Sequence, residues 1–187
     1  SGFWDRYRIA TGRWKLETVG DSVSRNAMRH AVRSETGPAR EGNEDFAAVE
    51  SWAVAGEGGA SEYLLAVIAD GMGGHEAGET ASRLAVDVVR ESVRCALRAP
   101  SSHSDLRRAL SAAMRDANAA VWRAAQDGSG AAGMGTTLTV VLIHGDEAHV
   151  AHVGDTRAHL LEGRELRQLT RDQSVVQDKV DTGLLTP

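Results

Sequence analysis

The chain has 187 residues, 42% of them hydrophobic and 25% charged, with a formal net charge of -5, a composition that fits one globular domain with a sizeable core. The acidic balance leaves no footprint for nucleic acid or an anionic membrane surface, and no apolar run approaches the roughly 18 residues that span a bilayer. Only Cys95 is a cysteine, so no intrachain disulfide forms, and without a signal-type apolar region the expectation is a cytoplasmic protein.

Residues 1–33 carry Trp4 and Trp14 among many charges without a sustained period of 2 or 3.6, and are read as an extension of uncertain structure, with the domain proper over 34–187. Phe46 to Val54 predicts a strand, and Tyr63 to Ala69 its buried partner, ending at Asp70. From Glu79 to Arg98 apolar residues recur at helical spacing, with Cys95 read as a small buried hydrophobe within that helix. Ser104 is the predicted N-cap of a second helix, whose stripe runs through Leu106, Leu110, Ala113, Ala117, Val121 and Ala124.

After the Gly-rich segment 127–135, expected to be mobile, the pattern turns to β. The predicted runs are Thr136 to Ile143, a turn at His144-Gly145-Asp146, then Ala148 to Val153 and Arg157 to Leu161. Val175, Val176 and Val180 predict a short helix stopped at Gly183, with Thr186-Pro187 reading as the start of another. Strands, then helices, then strands in blocks argue for an α+β layered domain in which helices cover antiparallel sheets.

Three strings carry chemistry. Asp70-Gly71-Met72-Gly73-Gly74-His75 follows a buried strand directly and places a carboxylate where the sheet ends, beside glycines that let the backbone approach a ligand. An isolated Asp-Gly pair is usually a plain turn, but six such residues in a row are not. Arg40-Glu41-Gly42-Asn43-Glu44-Asp45 collects carboxylates before the first strand, and Gly154-Asp155-Thr156-Arg157 adds another at a bend. Taken singly, either is an ordinary polar loop; together they supply hard oxygen donors that suit Mg²⁺ or Mn²⁺.

Two other patterns carry less. Gly128 to Gly133 spells G-x-G-x-x-G, but it follows a helix and precedes a strand, the reverse of a dinucleotide site. His144, His149, His152 and His159 fall on both faces of their strands and read as ordinary strand histidines.

In order, Arg40…Asn43-Glu44-Asp45, Asp70 to His75, Gly135-Thr136-Thr137, Gly154 to Arg157 and Leu169-Thr170-Arg171-Asp172-Gln173-Ser174 resemble the type-2C, magnesium- or manganese-dependent serine/threonine protein phosphatases, bacterial branch, over about residues 34–187. The resemblance implies a four-layer α-β-β-α sandwich with two divalent ions between the sheets, and hydrolysis of phosphoserine or phosphothreonine in a phosphorylated protein substrate by a water held between the ions. Asp70 would bridge both ions and the Gly71 carbonyl would bind one. Asp45, with Glu44 beside it, would hold coordinated water, and Asp155 would serve a third ion. Arg40 would clamp the substrate phosphate, and His75 is either an acid for the leaving group or a plain loop residue.

The sequence departs from the family pattern at Glu35, where Asp is usual, and at Gln173, where His is usual. The family's last metal-binding aspartates come from a C-terminal segment that is not in these residues. The sandwich is therefore expected to be incomplete, the chain as given a weak or inactive phosphatase, and its unpaired strand edges open to dimerisation. The alternative reading is a catalytically inactive, phosphatase-like module that binds a partner.

Overall fold

The computed structural model describes residues 28–38, 42–56, 59–99, 102–126 and 133–186, and residues 10–15 by their backbone alone. Two long strands, β1 (Ala10–Lys15) aside, open the fold: β2 (Asp45–Gly56) and β3 (Gly59–Met72). Helices α1 (His75–Ala96) and α2 (His103–Gln126) follow. Then come β4 (Gly135–Thr136), β5 (Leu138–His144), β6 (Glu147–Val153), β7 (His159–Glu162), β8 (Glu165–Gln168) and α3 (Val175–Asp181). This is the expected α+β arrangement, with antiparallel sheets and helices in blocks.

The main sheet runs in the order β1-β6-β5-β3-β2, with β4 added to β3, and β7-β8 form a separate hairpin. All of its pairings are antiparallel. Alternation along β3 sorts its side chains: Tyr63, Leu65, Val67 and Ala69 are buried, while Ile68 is 46% exposed on the other face. The buried face joins Val140 and Leu142 of β5 and Ala151 of β6 in one core with the two helices. Of the four expected layers, two are this sheet and the helix pair on it, with the β7-β8 hairpin and α3 standing apart from both.

The helices fit because their apolar stripes meet both the sheet and each other. Ala81, Ala85 and Val89 of α1, and Leu106, Leu110, Ala113 and Ala117 of α2, are all in the core. Small alanines let the helices approach closely, and each fully buried Leu or Val contributes about 1.5–3 kcal/mol. At the start of α2 Ser102, not the predicted Ser104, is the cap. The Asp105 amide donates to the Ser102 hydroxyl at 3.4 Å, and the Ser102 amide donates to the Asp105 carboxylate at 2.9 Å, a reciprocal arrangement of the capping-box kind.

Other boundaries differ for identifiable reasons. The segment read as an extension of uncertain structure supplies β1, which pairs Ala10 through Lys15 with β6. β3 runs past Asp70 to Met72 because Gly71 and Met72 pair with Thr136 and Gly135. α1 begins at His75, within the glycine string, with the Ala77 and Gly78 amides donating to the Gly74 carbonyl. Cys95 is exposed, since it stands two residues, or about 200°, from the buried Val93 around the helix. β8 carries Glu, Arg and Gln around one Leu, all exposed, and gives no alternation to read. The segment 127–132, and with it most of the reversed G-x-G-x-x-G and the expected mobile stretch, lies outside the described residues.

Candidate metal centre

Antiparallel register brings the first two acidic strings together. Asp45, first residue of β2, pairs directly with Asp70 near the end of β3, so both carboxylates leave the sheet on the face away from the helices. A cleft of about 220 Å³ opens there, lined by Glu35, Asn43, Glu44, Asp45, Asp70 and Gly71 with two further glycines. Every charged residue among the described lining is an acid.

The backbone of this corner is packed tightly. The Gly71 amide donates to the Glu44 carbonyl at 3.2 Å, and a Cβ on Gly71 would lie 2.1 Å from the Gly78 carbonyl oxygen. Only glycine permits that approach between strand and helix. Gly78 makes room in turn for Glu44, whose Oε2 would be 2.1 Å from a Cβ there. Glu44 therefore rests against the first turns of α1, where the helix dipole favours a carboxylate. Ser82, buried in α1, donates to the Glu44 carbonyl at 2.7 Å. Asn43 accepts from the Asp45 amide at 3.0 Å and donates to Ser34 at 2.6 Å, which fastens the entry loop to the strand.

Thr137 joins the remaining strings to this corner. Its amide donates to the Asp70 carbonyl at 2.8 Å, and its hydroxyl accepts from the Asp70 amide at 3.0 Å. The same hydroxyl lies 2.6 Å from that of Thr156, and the Thr156 carbonyl accepts from Thr139 at 2.8 Å. Gly154, at φ 103°, presses so close that a Cβ would stand 2.7 Å from the Thr137 methyl carbon. The loop bearing Asp155 is thus held to the strand end that carries Asp70. Arg157 closes the loop from behind with two bonds to Asp172, at 2.8 and 2.6 Å.

Electrostatics follow from this convergence. Asp70 is open to solvent on one side and walled in on the other. Its pKa is raised, first by that desolvation, then by the charge of Asp45 and a hydrogen bond with it, then by the charges of Asp155 and Glu44. Carboxylates gathered this closely disfavour each other's ionised form unless a cation is shared between them. An all-oxygen, acid-rich set on rigid strand ends fits Mg²⁺ or Mn²⁺.

Of the residues singled out from sequence, Glu44, Asp45, Asp70 and Gly71 meet in the cleft, and Asp155 reaches it by its charge. His75 opens α1, a helix position in place of the plain loop. Arg40 lies outside the described residues. Sequence reasoning missed the roles of Ser82, which bonds the Glu44 carbonyl, and of the Thr137–Thr156 link, since each joins residues apart in the chain that meet only in the fold.

Comparison with known proteins points the same way. A family profile described as protein phosphatase 2C matches residues 43–178. The serine/threonine protein phosphatase PstP of Mycobacterium tuberculosis is 39% identical over 160 residues, which cover 86% of this chain and 28% of PstP. The crystal structure of the PstP catalytic domain with two manganese ions superposes with a TM-score of 0.58 at 32% identity, covering 96% of this chain and 62% of that one. Stp1 of Staphylococcus aureus gives a TM-score of 0.65 at 27% identity, covering 96% and 60%. The chain thus spans less than two thirds of each of these relatives.

Proposed function

Because the chain belongs to the protein phosphatase 2C family, we propose that it serves metal-dependent hydrolysis of phosphoserine and phosphothreonine in proteins. The observation that carries this reading is the opposed Asp45–Asp70 pair, with Glu44 and Asp155 converging on it. The phosphatase unit is taken as residues 34–187, with the preceding extension adding the edge strand β1.

Asp70 and Asp45 would hold two Mn²⁺ or Mg²⁺ ions, and Asp155 a third. Bound there, such ions supply an activated water at neutral pH and offset charge on the phosphoryl oxygens. The chain's own contribution is placement. The β2–β3 ladder fixes the spacing of the two aspartates, Gly71 lets the backbone come close, and Thr137 sets the Asp155 loop. Arg40 would bind the substrate phosphate with a planar, bidentate fork. His75 would protonate the leaving oxygen.

The substrate class is a phosphorylated protein and not a nucleic acid, in keeping with the acidic net charge. No helix among the described residues is long and apolar enough to cross a membrane. The free, exposed Cys95 fits action in the reducing cytoplasm. β2 forms an edge of the main sheet among the described strands, and a second copy could pair there.

Manganese-dependent turnover of a phosphothreonine peptide by the full-length protein tests the reading. Activity that disappears in Asp70→Asn supports it, whereas no turnover at any manganese concentration supports the inactive, partner-binding module. Within an active enzyme, Arg40→Lys is expected to raise KM for the peptide, and unchanged kinetics would remove Arg40 from the site.

A further inference from the structure

On the helix-covered face of the sheet, far from the acidic cleft, three side chains converge. Glu147 and His149 are alternate residues of β6 and so point to the same side; His103 is the first residue of α2. The His103 Nδ1 lies 2.7 Å from Glu147 Oε2, and His149 Nε2 lies 3.4 Å from the same oxygen. One ligand atom from each residue falls within 4.8 Å of the other two. The imidazole rings of His103 and His149 are near parallel, 25° apart with centroids at 6.1 Å.

The donor set differs in kind from that of the acidic cleft. Two imidazoles and one carboxylate suit Zn²⁺, whose ligand distances of about 2.0–2.2 Å place tetrahedral donors roughly 3.3 Å apart. Burial is graded: the His149 side chain is 0% exposed, Glu147 4% and His103 54%. The inner two ligands are fixed by the strand, and the outer one, on a half-exposed side chain, can turn to adjust its distance. The open side at His103 leaves a fourth position for water.

The two sites are also well separated. Glu147 pairs with His144, and His144 with Tyr63, seven residues along β3 from Asp70. At about 3.3 Å per residue that is on the order of 20 Å. We propose that His103, Glu147 and His149 form a zinc-type metal site that ties the start of α2 to β6, independent of the phosphatase centre. Arg13 and Lys15 stand opposite His149 and Glu147 in the β1–β6 register. The competing arrangement is therefore an ion pair of Glu147 with the chain's own cations.

Co²⁺, a spectroscopic stand-in for Zn²⁺, distinguishes the two in the full chain. The expected result is one equivalent of Co²⁺ with the strong visible absorption of a tetrahedral site, displaced by Zn²⁺. His103→Gln, a change at an exposed side chain that leaves folding intact, should weaken this binding at least about 100-fold, the upper end of what losing a supporting contact costs. Asp45→Asn should leave it unchanged. With excess Mn²⁺ present to occupy the acidic cleft, Zn²⁺ should also raise the melting temperature of the parent chain more than that of His103→Gln. Absorption that survives His103→Gln, absorption lost in Asp45→Asn, or no tetrahedral signal would each overturn the proposal, the last in favour of the ion pair.

Discussion

Asp45 and Asp70 face each other as a directly paired couple across the β2–β3 ladder. Nothing in strand pairing favours two like charges there. Their repulsion, added to the desolvation of Asp70, is free energy that the metal-free fold gives up and a bound cation recovers.

Asp70→Asn should therefore act in opposite directions on stability and function. In the metal-free protein it relieves repulsion, and a gain of about 1 kcal/mol would raise Tm by about 2–4 °C for a chain of this size. The same change should abolish manganese-dependent turnover. Thermal melts with excess chelator, alongside a phosphopeptide assay, would show both effects.

Gly71→Ala and Gly78→Ala should differ sharply. The first drives a methyl into the Gly78 carbonyl and the Glu44 carbonyl, both backbone, and should cost about 3 kcal/mol. The second meets the Glu44 side chain alone, whose carboxylate end, the nearest part, can swing away while its Cβ at 3.1 Å gives only slightly. Urea melts should rank Gly71→Ala well below Gly78→Ala, and similar midpoints would contradict the packing described.

Thr137→Val keeps the shape of the side chain but removes its hydroxyl from both Asp70 and Thr156. Loss of such a supporting contact should lower Mn²⁺ affinity about 10-fold, with Thr137→Ser restoring most of it. Calorimetric titration checks this, and a parallel denaturant melt separates it from general destabilisation.

Acid should weaken the fold in two steps. Burial lowers the pKa of His152 below the ordinary imidazole value of 6.5, so its stabilising contribution is complete above about 6.5 and falls as pH drops through the lower folded value. Asp172 is lowered from 3.8, chiefly by its hydrogen bonds from Arg157, so its contribution holds above 3.8 and is lost below. His152→Gln should flatten the decline in Tm that sets in below about pH 6.5 and leave the more acidic step.

Local chemistry was the part of this fold open to sequence reading. The apolar run Tyr63–Ala69 read as the buried partner of the strand Phe46–Val54, and the glycine string after Asp70 marked the site. Helical spacing found the α2 stripe to within the choice of cap between Ser104 and Ser102. Thr137 stood in the Gly135-Thr136-Thr137 string, but its role was hidden, because its bonds to Asp70 and Thr156 exist only in the folded sheet. His149 was sorted by face as a strand histidine, but no sequence period connects it to His103 on a distant helix. The edge strand β1 escaped because its residues carry no alternation of their own.

That edge strand also has a kinetic meaning. β2 and β3 are neighbours in sequence, and β5 and β6 are joined by two residues, whereas Ala10 meets His152 across 152 − 10 = 142 positions. Closing so long a loop is entropically costly and slow, so β1 joins last, onto a sheet the other strands have already built. Hydrogen exchange at Thr11, Arg13 and Lys15 should accordingly outpace that at Leu65 and Val67, and the first opening of the native protein should be the departure of its N-terminal strand.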